Sequence, residues 1–169
     1  MKKAILLICI TLLTTAVRAQ SALTKKEIKV LKKTHEISML AVKIAELAPS
    51  HALNVETKAA AQRLMEDYQK VRQNVEQLAA KKNVALPTEI CDKSRKIFNW
   101  YDKKQGKDFD KAYLKGASRI NKGGACKINK LYKRTDDSDL KDWANQLRST
   151  LEMHKTLLKQ TCETVKNKK

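Results

Sequence analysis

The chain has 169 residues, with 36 Lys and Arg against 18 Asp and Glu, a formal net charge of +18. Its length suits one domain that buries most of its surface. Only 4 glycines and 2 prolines argue against a multi-turn β fold, while abundant Ala, Leu, Lys, Glu and Gln favour helices.

The chain opens with MKKAILLICITLLTTAVRAQ, which has the three parts of a secretory signal. Lys2 and Lys3 form a positive start, residues 4–17 an apolar run, and Val17-Arg18-Ala19 a small-residue cleavage site before Gln20. The run falls short of the about 20 residues that span a bilayer, and a retained N-terminal anchor is the rival reading. Cleavage between Ala19 and Gln20 leaves one domain, residues 20–169, and removes three positive charges and no acid. No later segment is apolar enough to cross a membrane.

Apolar positions then recur at three- and four-residue steps. Thr24, with Glu27 three residues on, is a capping box for a helix over residues 24–48, ended by Pro49. A second helix is expected over residues 53–82, and Leu86-Pro87 breaks the chain again. A shorter helix over residues 88–104 carries Ile97, Phe98, Trp100 and Tyr101, and Gly106 stops it. Asp108 or Asp110 is expected to cap a fourth helix running to Arg134, kinked at Gly123-Gly124. The acidic turn Asp136-Asp137-Ser138-Asp139 caps the last, with Leu140, Ala144, Leu147, Leu151, His154, Leu158, Cys162 and Val165 in heptad-like register. These segments predict an all-α fold: a four-helix bundle with a short crossover helix between the second and third long members.

The order of segments resembles the DUF4142 family, about residues 24–165. It is carried by Glu36-Ile37, Ala61-Gln62-Arg63-Leu64-Met65-Glu66-Asp67, Leu78-Ala79-Ala80 before Leu86-Pro87, Gly106-Lys107-Asp108-Phe109-Asp110-Lys111-Ala112-Tyr113-Leu114, and residues 151–154. The resemblance implies an exported, ferritin-like helical bundle without an established activity. The family usually has three histidines; two of those positions fall on Tyr68 and Asn121 here, and the third is His154.

A di-iron site needs Glu-x-x-His from two helices. Here Gln69 stands three residues after Glu66, Glu152 is two residues from His154, and no acid lies between Asp110 and Asp136. No metal site, cofactor or catalytic residue is therefore assigned. His35, Tyr68, Asn121 and His154 fall on or beside the apolar arcs of different helices, near mid-height. They form either a hydrogen-bonded polar layer that fixes register, the favoured reading, or a small pocket with one weak metal site. Lys111, Lys115, Arg119, Lys122, Lys127, Lys130, Lys133 and Arg134 lie within roughly half the wheel of the fourth helix. They form either a solvated face or a docking surface for a polyanion such as membrane phosphates, surface polysaccharide or, least favoured, nucleic acid. No aromatic residue interrupts this stripe, which argues against base stacking.

Cys91, Cys126 and Cys162 match no zinc spacing. In an oxidising compartment one disulfide and one free thiol are expected. Wheel and topology place Cys162 toward the core as a buried thiol, and pair Cys91 with Cys126 across a 36-residue loop. Such a bond is worth about 3–4 kcal/mol. The functional expectation is a non-enzymatic envelope protein with an unidentified partner. The alternatives are a polyanion-binding module and a ferritin-like metal-binding protein.

Overall fold

The computed structural model describes residues 22–167, so the expected leader and the expected Ala19–Gln20 cleavage site lie outside the described residues. The described chain is all-helical: α1 (Lys25–Ala45), α2 (Ala48–His51), α3 (Val55–Lys81), α4 (Asp92–Asp102), α5 (Gly106–Arg134) and α6 (Ser138–Asn167). The four long helices are α1, α3, α5 and α6. Along them α1 packs against α3, α3 against α6 and α6 against α5, while short α4 rests on α1 and α5.

The helix ends follow local chemistry. At the start of α1, Thr24 Oγ1 accepts the Glu27 N–H at 3.3 Å, and Glu27 Oε2 accepts the Thr24 N–H at 2.8 Å. That is the capping box expected from the sequence. Pro49 does not simply end this helix. It sits in the first turn of α2, where its missing N–H leaves no intrahelical bond unmade. Asp110 does not cap α5 either. The helix starts four residues earlier at Gly106, whose φ of +56° makes the left-handed turn after α4. Asp110 Oδ2 instead accepts the backbone N–H and side-chain amide of Asn54, tying α5 to the start of α3. Helix α5 runs unbroken through Gly123-Gly124 as one helix of 29 residues. Asp137 Oδ1 accepts the Leu140 N–H at 2.9 Å, and Asp137 also holds the Lys82 ammonium with Asp139, closing the end of α3 on the start of α6.

The apolar core has two parts. One gathers Met39, Ile44, Ala48, Leu64, Phe109, Tyr113, Leu114 and Leu158. The other gathers Leu31, Val71, Val75, Leu78, Ile128, Leu140, Trp143, Leu147 and Leu151. Along every long helix a polar residue stands between members of the two clusters: His35 after Leu31, Asp67 after Leu64, Asn121 after Leu114 and His154 after Leu151.

Candidate functional site

The polar residues between the two apolar clusters are paired across helices rather than gathered in one pocket. His154 on α6 is 1% exposed. Its Nε2 lies 3.3 Å from Asp67 Oδ2 on α3, and its ring lies 5.2 Å from that of Tyr68. Burial depresses the His154 pKa, while the hydrogen bond to Asp67 works in the opposite direction without overcoming it. The imidazole is therefore neutral, with the proton on Nε2 donated to the carboxylate. Arg63 Nε approaches the same carboxylate oxygen at 3.2 Å, from the exposed side of α3. One turn before His154, the Leu151 carbonyl accepts from Asn121 Nδ2 at 2.7 Å. His154 Nδ1 and Asn121 Oδ1 are buried without a hydrogen-bond partner among the described residues.

His35 does not join this group. Its Nε2 lies 2.9 Å from Glu76 Oε1, and Arg72 reaches the same carboxylate oxygen at 3.5 Å. Glu76 is nine residues beyond Asp67 on α3, about 13 Å along the axis. The expected single layer is thus two separate His–carboxylate pairs. Sequence reading missed the partners Asp67 and Glu76. The available signal was an acid on α3 opposite each histidine, but a helix with acids on several faces does not say which one turns inward.

These pairs are built to hold helices in register. The His35–Glu76 pair borders an open groove of about 340 Å³ with Arg72, Leu86 and Pro87, whereas the space lined by Tyr68, Tyr101, Tyr113 and Leu64 has a volume of about 20 Å³. The latter has room for one water and no substrate. Among the described residues, no group of three or more His, Cys, Asp or Glu side chains is arranged to hold a metal ion.

Glu36 sits at a third junction, where α4 meets α1. Burial alone would raise its pKa, but hydrogen bonds from the Cys91 thiol, Ser94 hydroxyl and Lys33 ammonium outweigh it and lower the value to about 2. Ser94 Oγ donates to Glu36 Oε1 at 2.6 Å. The Cys91 thiol is thus turned to Glu36 and Ser94, not to Cys126. Among the described residues Cys91, Cys126 and Cys162 are free thiols, so the expected Cys91–Cys126 bond is absent there. Cys162 is not fully buried: it packs at the edge of the first cluster, where burial raises its pKa.

The outer face of α5 behaves differently from these paired interiors. Lys111, Lys115, Arg119, Lys122, Lys127, Lys130, Lys133 and Arg134 are all exposed. None of the eight makes an ion pair among the described residues. The reason lies in the sequence: no acid stands between Asp110 and Asp136.

A family model described as "Domain of unknown function (DUF4142)" matches residues 12–161. The chain belongs to this family. The match takes in the whole of α1 to α5 and most of α6, and it starts inside the apolar run at the N-terminus. Among curated proteins and solved structures, nothing matches the chain. In this DUF4142 chain Tyr68 and His154 are in ring contact, and Asn121 is bonded one turn away, so the three positions where the family resemblance expects histidine converge. No helix among the described residues is long and apolar enough to cross a membrane.

Proposed function

We propose that this DUF4142 protein is exported and works at the cell envelope as a non-enzymatic binding protein, with the basic face of α5 as its contact for an anionic partner. The four long helices are read as a four-helix bundle of the ferritin-like kind, with α4 as the crossover helix. The bundle acts as a rigid scaffold for that face.

One observation carries the proposal: eight exposed cations on a single helix, none neutralised by a neighbouring acid. Cations on other helices have acids within reach, as at Arg63–Asp67, Lys82–Asp137 and Lys155–Glu152, whereas the body of α5 contains no acid after Asp110. An uncompensated stripe repels itself unless an anion covers it. The non-enzymatic reading is supported by the buried His154–Asp67 pair, where the space beside Tyr68 admits one water.

Retention on immobilised heparin tests the proposal. The protein is expected to bind at low salt and elute along a steep salt dependence, because bound cations release counterions. Exchanging Lys115, Arg119, Lys122 and Lys130 for Gln is expected to abolish retention without lowering the melting midpoint. Wild-type protein that passes through at low salt would overturn it.

A further inference from the structure

The short helix α4 presents a second unpartnered surface beside the basic face of α5. At 100° per residue Lys93, Lys96, Ile97 and Trp100 fall within about a third of the wheel. Lys103 and Lys104 follow just past the helix end. Trp100 is 52% exposed and Ile97 37%. Ser94 and Tyr101 point the other way and are buried. Trp100 packs edge-on against Tyr101 at 4.9 Å, and Lys104 Nζ stands 4.1 Å above the indole. Tyr101 in turn donates to the Ala112 carbonyl at 3.3 Å and lies against Gly116 on α5. The indole is thus joined to α5 through Tyr101, whose phenol lies within the field of the Arg119 charge. The sequence pattern within α5 hid this, because the aromatic residue comes from the neighbouring helix.

We infer that the outer face of α4, together with the basic face of α5, docks on the surface of an anionic lipid bilayer, with Trp100 and Ile97 entering the headgroup region. The inference rests on the proposed anion-binding role of α5 and names the partner. Three features select a bilayer. An indole among lysines matches the interface between headgroups and acyl chains, where its apolar body and N–H are both satisfied. Lysines around it can keep their stems on the apolar side and their ammonium groups at the phosphates. Ile97 offers nothing to a sugar or a base but gains from leaving water. A stacking platform for nucleic acid needs open ring faces, whereas the ammonium of Lys104 stands over this ring and Tyr101 meets its edge. A second copy of the chain would bring like charge against like charge.

The test uses the protein purified in the form in which the producing cell holds it. It is mixed with vesicles of phosphatidylcholine alone, or of phosphatidylcholine with phosphatidylglycerol, and flotation and tryptophan emission are read together. Flotation with the anionic vesicles only, accompanied by a blue shift of emission, is the expected result. Trp100→Ala should weaken partitioning by about tenfold or more. Lys96→Gln with Lys103→Gln should weaken it about 25-fold, at roughly fivefold per lysine near an anionic surface. Trp100→Phe, which keeps an aromatic ring against Tyr101, should float but lose the blue shift, assigning the signal to Trp100 rather than buried Trp143.

Anionic-vesicle binding that ignores Trp100→Ala and shows no blue shift would overturn the α4 inference and leave the α5 reading standing. So would salt-dependent retention on heparin or nucleic acid without vesicle binding. Absence of binding to heparin and to both vesicles would sink both.

Discussion

His154 and Asp67 share one hydrogen bond, yet they differ in what each leaves behind when removed. Asp67→Ala strands the Nε2–H of His154 in the core, and an unsatisfied buried donor costs about 1–3 kcal/mol. His154→Leu leaves Asp67 still paired with Arg63 and removes the unpartnered Nδ1, so it is expected to stay within about 1 kcal/mol of wild type. Urea denaturation of both variants checks the asymmetry; equal losses would contradict it. His154, Glu36 and Glu27, whose burial is outweighed by hydrogen bonds to Thr135 and Thr24, contribute to the response to acid. The His154 pKa is lowered in the fold, so its contribution is complete above the unfolded value of 6.5 and is lost as pH falls below it. Glu36 is lowered from 4.5 to about 2, so its contribution is complete above 4.5 and is lost as pH falls toward 2. After screening by the nearby solvent, the Glu36 contribution is about 1–2 kcal/mol. Stability is therefore expected to decline in two stages on acidification. His154→Leu should flatten the stage below pH 6.5 and Glu36→Gln the stage below pH 4.5, read as denaturation midpoints against pH.

Helix α5 contains two glycines whose replacement by alanine should have opposite signs. A Cβ on Gly116 would lie 1.8 Å from the Tyr101 hydroxyl and 3.1 Å from its ring. The ring is buried, so it must shift as a rigid plate, and α4 with it. Overpacking of this kind costs about 1–3 kcal/mol. A Cβ on Gly123 meets nothing within 4 Å, and the residue is helical and exposed. Gly123→Ala should therefore stabilise by about 0.5–1 kcal/mol, through the smaller entropy lost on folding. Thermal melts of the pair decide the matter, and destabilisation by Gly123→Ala would refute the account of α5 as one unbroken helix. The same comparison shows why α5 continues through Gly123-Gly124. Glycine lowers helix propensity by about 1 kcal/mol per residue, but Ile128, Leu131 and Asn121 dock this helix on both sides of the pair. Tertiary packing outweighs that deficit.

The whole molecule carries +18, or +15 if the proposed cleavage after Ala19 removes Lys2, Lys3 and Arg18. Such an excess repels itself in the compact state. Raising ionic strength from about 20 to 300 mM shrinks the screening length and should raise the melting midpoint by a few degrees. The same salt should release the protein from heparin, so stability and binding move in opposite directions across one titration. A midpoint independent of salt would show that the charge is neutralised within the fold. Several features needed only the sequence: the helical class, the Thr24–Glu27 cap, the burial of His35, Tyr68, Asn121 and His154, and the exposure of the eight cations on α5. Each follows from local spacing, because a helical period of 3.6 residues sorts side chains into inner and outer faces whatever the rest of the chain does. Only the tertiary structure decided which acid meets which histidine, that the Cys91 thiol turns to Glu36, that Gly116 makes room for Tyr101, and that Trp100 packs on the tyrosine that joins α4 to α5. Those contacts join separate helices, and their choice depends on the rotation and axial shift of one helix against another, which the periodicity of a single helix does not contain.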